Sequence, residues 1–156
     1  MRWASAVVFI AAVVIGLVAF ACSGGQPEAT ATFASKPSPT FEGSVVVEVQ
    51  LKEWAVAPAR ASVPRGNVII AAKNVGVLEH TLLIFKTDTP ADKLPVAEAK
   101  VKEGAAGQKV AQIDATQLQP GRASSISLAL EPGSYVFICN LQGHYQSGMR
   151  AGFDVL

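Results

Sequence analysis

From Ser44 to Leu156 the chain is a succession of short β-branched runs cut by glycine and proline, a pattern that suits stacked β-sheets and little else. Residues 44–52 alternate apolar and polar side chains, as a strand with one buried face does. Residues 54–63 are a second extended stretch, interrupted by Pro58 and suited to a sheet edge. Pro64-Arg65-Gly66-Asn67 reads as a turn, residues 68–74 as a buried strand broken by Val75-Gly76, and residues 79–86 as the next strand. Residues 110–113, 124–130, 134–139 and 150–156 complete the set, with Glu131-Pro132-Gly133 as one more turn. The expectation is an all-β, Greek-key β-sandwich over residues 44–156. Residues 87–109 break the rhythm. They are charged and Ala-rich, and Pro90 and Pro95 predict a short helix over 96–102. A connection this long is either a functional lid or a surface crossover between sheets.

Two accessories precede the domain. Arg2 leads into an apolar run over residues 3–21, which reads as an export signal. It is also long enough to span a bilayer, which takes roughly 20 residues. Arg2 would hold the N-terminus on the cytoplasmic side and place the rest outside. Ala19-Phe20-Ala21-Cys22, followed by Ser-Gly-Gly, resembles a bacterial lipoprotein processing site, at which Cys22 would carry lipid. Leu17 lies further upstream than that pattern favours. An uncleaved signal anchor therefore stays open, as does Cys22 as a plain small residue of the leader. Residues 1–22 are thus a signal or anchor. Residues 23–43, rich in Pro, Ser, Thr and Ala, are a flexible linker with a root-mean-square span of about 25 Å.

The net charge is +1 with scattered Lys and Arg, which gives nucleic-acid binding no electrostatic footing. The domain has no Gly-rich phosphate loop. Its chemistry rests on a few soft side chains. Cys139, His144 and Met149 follow one another at equal steps near the C-terminus, and the only other histidine is His80. Cys139 is alone in an exported domain, so it has no internal disulfide partner, and a free thiol there is an oxidation hazard unless something holds it.

One thiolate, two imidazoles and one thioether make up the ligand set of a blue-copper site, with a trigonal His/His/Cys base and a weak axial Met. Gly143 and Gly148 let one loop place Cys139, His144 and Met149 round a point, while His80 arrives from a distant strand. Taken singly, His80 reads as a strand-end histidine, Met149 as a core methionine and Cys139 as a buried hydrophobe. Together they use both histidines, the domain's one cysteine and the one methionine beyond Met1. A structural zinc site wants four Cys/His ligands and finds three. A hydrolytic zinc site on the same three, or a Cys139 nucleophile paired with His144, leaves Met149 without a role.

Residues 44–156 resemble the cupredoxins, the small blue-copper proteins. The segment from Tyr135 to Arg150 carries most of the likeness. Its Cys-x4-His-x4-Met spacing is similar to that of auracyanins and rusticyanin, and the Gly-His-Tyr-x-x-Gly-Met loop is similar to that of sulfocyanin-type proteins. The resemblance implies a Greek-key sandwich, one copper ion cycling between Cu(I) and Cu(II), and one-electron shuttling between membrane complexes. It implies His80, Cys139 and His144 as strong ligands and Met149 as the axial one, with His144 as the exposed ring through which the electron leaves. Leu141 and Tyr145 flank His144 as candidates for an apolar docking patch, with a core role as the alternative for Tyr145. Thr81 stands where many members have an Asn that supports the thiolate. Asn140 is a second candidate for that support, and Asn74 a third with a plain turn role as its alternative.

The expected function is a type 1 copper electron carrier tethered to the outer face of a membrane, with redox proteins near that membrane as partners and a monomeric domain. A copper storage or delivery protein is the alternative. A red-copper-type enzyme that binds a small ligand, with Glu79 beside His80 as its oxygen donor, is another.

Overall fold

The computed structural model describes residues 43–156. The leader with Cys22, and the linker up to residue 42, lie outside the described residues. Among the described residues no helix is long and apolar enough to cross a membrane. The strands are β1 (Val45–Lys52), β2 (Ala55–Pro58), β3 (Ser62–Val63), β4 (Gly66–Asn74), β5 (Leu82–Lys86), β6 (Val96–Ala97), β7 (Lys100–Val101), β8 (Gln108–Ile113), β9 (Ala123–Leu130), β10 (Gly133–Ile138) and β11 (Arg150–Val155). One sheet runs β2-β1-β4-β9 and the other β3-β11-β10-β5-β8, with β6-β7 a separate hairpin. The chain changes sheet between β2 and β3, β3 and β4, β4 and β5, β8 and β9, and β9 and β10, the crossovers of a Greek-key sandwich.

Alternation decides which side chains meet between the sheets. Val47, Val49 and Leu51 from β1 and Ile70 and Ala72 from β4 meet Leu82 and Ile84 from β5, Phe137 from β10 and Phe153 from β11. Phe137 and Phe153 stack with ring centroids 4.9 Å apart. Burying each such ring contributes about 1.5–3 kcal/mol. Cys139 and Met149 belong to this same core.

The stretch over 54–63 splits into β2 and β3, which edge opposite sheets. Gly66 and Asn67, expected in a turn, already pair with Leu130 and Ala129. Gly66 takes φ +130°, which a glycine at the mouth of a strand tolerates, so only Pro64 and Arg65 link β3 to β4. The strand expected over 79–86 begins at Leu82. Glu79, His80 and Thr81 leave the ladder, and the N–H of His80 goes instead to Leu118 O at 3.2 Å.

Residues 87–109 hold no α-helix. Val96 pairs with Val101 and Ala97 with Lys100 in a hairpin, closed by Lys102 N–H donating to Pro95 O at 2.8 Å. Glu98 and Ala99 turn it with φ of 51° and 59°, and only a single 3-10 turn follows at Glu103–Ala105. Tertiary contacts override the helical composition here. Leu94, Val101, Ala106 and Tyr145 cover Leu83, Phe85, Val136 and Ile138, which point away from the main core. The segment is therefore the lining of a second core, and it explains why β5 and β10 are buried on both faces.

Candidate metal centre

Two separate segments deliver the donors. Cys139 follows the last residue of β10, His144 sits on the loop to β11, and His80 stands just before β5. Cys139 and His80 are fully buried, and His144 is partly exposed. His144 Nδ1 lies 3.4 Å from Cys139 Sγ and 3.4 Å from His80 Nδ1, and His80 Nδ1 lies 3.9 Å from Sγ. The centre of such a triangle is about 2.1 Å from each corner, within the roughly 2.0–2.3 Å of zinc bonds to His nitrogen and Cys sulfur. The two Nδ1 atoms face each other across 3.4 Å, a separation that one shared proton or one metal ion bridges. The donor set fits a copper ion.

The loop is wound tightly enough to hold these positions. Cys139 N–H donates to Met149 O at 3.0 Å and Met149 N–H to His144 O at 3.1 Å, so the main chain of Met149 is tied to both neighbouring ligands. Met149 is fully buried. Gly143 and Gly148 take φ of 80° and 122°, conformations that disfavour any side chain. At Gly148 there is also no space, because a Cβ would sit 2.9 Å from Trp54 O.

Thr81 supports the sulfur with its backbone. Its N–H donates to Cys139 Sγ at 3.3 Å, and its hydroxyl accepts the Asn140 N–H at 3.1 Å. Asn140 carries the support outward: its Oδ1 accepts Val101 N–H at 2.8 Å, and its Nδ2 donates to Val101 O and Glu103 Oε1, each at 3.2 Å. Gly143 N–H donates to Ala99 O at 2.8 Å, a second tie between ligand loop and hairpin. Asn74 is more than a turn residue. Fully buried, it donates to Leu78 O at 2.6 Å and Leu118 O at 2.8 Å and accepts Gly76 N–H at 2.8 Å, shaping the chain that leads to His80.

The proposed docking patch is corrected in one member. Tyr145 is buried, its hydroxyl donating to Ala91 O at 2.7 Å and accepting Leu94 N–H at 3.0 Å, so the core alternative holds for it. Leu141 is partly buried and packs on the main core. Glu79 is not in the donor cluster; its carboxylate accepts from Gln119 Nε2 at 2.8 Å.

Two neighbours of the centre carried no signal in the sequence reading. Trp54 meets the His144 ring edge-on with centroids 5.1 Å apart, and it is 47% exposed. Glu53 Oε1 lies 3.2 Å from His80 Nε2. Both sit at the β1–β2 turn, where a charge beside an aromatic reads as ordinary surface. Burial holds the imidazoles of His80 and His144 below their ordinary value, opposed chiefly by the nearby charge of Glu53. Backbone N–H groups, that of Leu78 first, hold the Glu53 carboxyl low.

The sulfocyanin (SoxE) domain family matches residues 57–155, from β2 to the end of β11. No curated protein sequence matches the chain. Among solved structures it is similar to the dithionite-reduced auracyanin of Roseiflexus castenholzii, at 23% identity and a TM-score of 0.51, over 72% of this chain and 97% of that one. Auracyanin A of Chloroflexus aurantiacus, described as a "blue" copper protein, is 19% identical with a TM-score of 0.50, over 73% of this chain and all (100%) of that one. Rusticyanin from Thiobacillus ferrooxidans is 18% identical with a TM-score of 0.50, over 72% of this chain and 77% of that one. At these identities the structural likenesses bear on the fold.

Proposed function

Because the chain belongs to the sulfocyanin (SoxE) family of cupredoxins, we propose that His80, Cys139, His144 and Met149 hold one copper ion and that the protein carries single electrons at the outer face of a membrane. Bound copper supplies a reversible Cu(II)/Cu(I) couple whose two states both accept mixed imidazole and sulfur ligation. The chain's own residues do the rest. The observation that carries this reading is the triangle of Cys139 Sγ and the two Nδ1 atoms, with sides of 3.4, 3.4 and 3.9 Å, assembled from one loop and a segment far from it in sequence.

A loop cross-linked to the hairpin by Asn140 and Gly143 holds its ligands in nearly the same places in both oxidation states, which keeps rearrangement on electron transfer small. Burial of His80, Cys139 and Met149 leaves a substrate no open approach from those sides. An electron needs only the His144 ring, which is partly exposed and in contact with Trp54. That contrast favours a carrier over an enzyme. The outer-face location and the tether rest on Arg2, the apolar run over 3–21, Cys22 and the linker. Partners are redox proteins near that membrane.

Copper added to the purified protein should produce an intense visible band from Cys139 sulfur-to-Cu(II) charge transfer and narrow EPR hyperfine splitting, both lost in Cys139→Ala. A colourless Cu(II) complex with ordinary splitting would overturn the assignment. For the tether, Cys22→Ser should abolish lipid labelling in cells; unchanged labelling rules out lipid at Cys22.

A further inference from the structure

Glu53 lies at the tip of the β1–β2 turn, distant in sequence from every ligand, yet its carboxylate is built into the approach to the centre. Oε1 accepts the N–H of Leu78 at 2.7 Å and of Val77 at 3.1 Å, and Oε2 lies 3.4 Å from the latter. The space is reserved for it. A Cβ at Gly76 would fall 2.5 Å from both carboxylate oxygens. Oε1 also lies 3.2 Å from Nε2 of the fully buried His80, close but outside hydrogen-bond geometry. Nε2 is the one buried side-chain polar atom, among the described residues, left without a hydrogen-bond partner. Glu53 is thus the nearest group able to compensate it, and its side chain is only 20% exposed.

An ionised carboxylate can only accept, so the charge of Glu53 favours the proton on the facing Nε2. The lone pair of His80 then sits on Nδ1, the nitrogen turned toward Cys139 Sγ and His144 Nδ1. A backbone carbonyl in the same place would fix the tautomer too. A carboxylate adds a full negative charge behind the ligand, which makes the imidazole a stronger donor and favours the more positive oxidation state of the metal. We propose that Glu53 is a positioning residue that fixes the His80 tautomer and, through its charge, lowers the reduction potential of the centre. The potential half of this rests on the copper reading above; the tautomer half does not.

Glu53→Gln keeps the shape and an acceptor for the Val77 and Leu78 N–H groups while removing the charge, and Glu53→Leu removes both functions. Ring-nitrogen NMR of the copper-free protein should find His80 protonated at Nε2 in the native chain and a mixture of tautomers in Glu53→Leu. In a redox titration Glu53→Gln should shift the Cu(II)/Cu(I) affinity ratio toward Cu(I) by on the order of tenfold, the scale of a unit charge at this range in a partly solvated setting. Tenfold corresponds to an upward shift of about 59 mV for a one-electron couple. Glu79→Gln, a neighbouring charge tied to Gln119, should move the potential much less. An unchanged potential in Glu53→Gln with the visible band intact overturns the charge role. A shift of equal size in Glu79→Gln also overturns it, and an Nε2-protonated His80 persisting in Glu53→Leu overturns the tautomer role. A native protein that binds Cu(II) without colour would instead sink the blue-copper reading, with the NMR result still deciding the tautomer.

Discussion

Thr81 offers its backbone N–H to Cys139 Sγ across 3.3 Å. The hydroxyl of the same residue is 3.7 Å from the sulfur and accepts the N–H of Asn140 at 3.1 Å. One residue thus grips the ligand by its main chain and, through a hydroxyl within hydrogen-bond range of both, the sulfur again and the residue after it. The shorter sulfur contact, from the backbone, does not depend on the side chain at position 81.

Thr81→Val should therefore separate the two grips. It leaves Asn140 N–H without its acceptor, a loss of about 1–3 kcal/mol in the stability of the copper-free domain. The sulfur keeps its backbone donor at 3.3 Å and loses only the longer hydroxyl contact at 3.7 Å, so the charge-transfer band of the copper form should move little. Urea unfolding and a visible spectrum check the two halves, and a large band shift would show that the hydroxyl acts on the sulfur after all.

Tyr145→Phe keeps the ring and strips its hydroxyl from Ala91 O and Leu94 N–H. Both partners belong to the 87–109 segment and meet the hydroxyl beneath it, where water cannot easily replace the lost group, so a cost of about 1–3 kcal/mol is expected. Amide exchange should also speed up at Leu94. Native-like protection there in the variant would mean that the hydroxyl does not hold the segment down.

Gly148→Ala tests the closeness of the ligand loop to the β1–β2 turn. The new methyl would meet Trp54 O at 2.9 Å at a φ of 122°. Backbone strain alone of this kind costs about 1–3 kcal/mol, and the contact adds to it. Weaker copper binding should accompany lower thermal stability. A variant with native melting and native copper affinity would show that the loop has slack.

Acid should destabilise the copper-free domain before it titrates the carboxylates. Burial holds His80 and His144 below the ordinary imidazole value of 6.5, so in the fold they stay neutral where the unfolded chain takes protons. With more protons bound to the unfolded state, stability rises with pH across that window. It is fully present above about 6.5 and is lost as the pH falls toward the lowered values of the folded state. Copper affinity should fall in the same direction, since protons compete for the two Nδ1 atoms. Melting temperatures taken at about pH 7.5 and about pH 5.5 decide it, and equal values would contradict the neutral assignment.

The ligands were legible because rare residue types have few structural uses. With two histidines and one domain cysteine in the chain, donor chemistry, the Cys139–His144–Met149 spacing and the cupredoxin resemblance together nominated His80, Cys139, His144 and Met149. The strands were legible from alternation, to within a few residues at their ends. Glu53 was not, because an acidic residue next to an exposed tryptophan at a hairpin tip is the ordinary composition of a solvated turn. Its meaning lies in Val77, Leu78 and His80, which only the sandwich brings to it. The hairpin over β6 and β7 was hidden for a related reason. An Ala- and Lys-rich stretch favours a helix by local propensity, and here Asn140, Gly143 and Tyr145 outweigh that preference with contacts from another part of the chain. Tyr145 stayed open between docking patch and core because it adjoins the candidate exposed ligand, and only the fold shows it buried.

The edge-on contact between Trp54 and His144 equips the domain with its own optical reporter. Trp54 is the single tryptophan among the described residues, and the chain's other, Trp3, lies in the apolar leader. Indole emission from the domain therefore arises next to one ring of the metal centre. Copper held by His144 and its partner ligands should quench it, so the fluorescence of the unlabelled protein would follow metal uptake and release in real time.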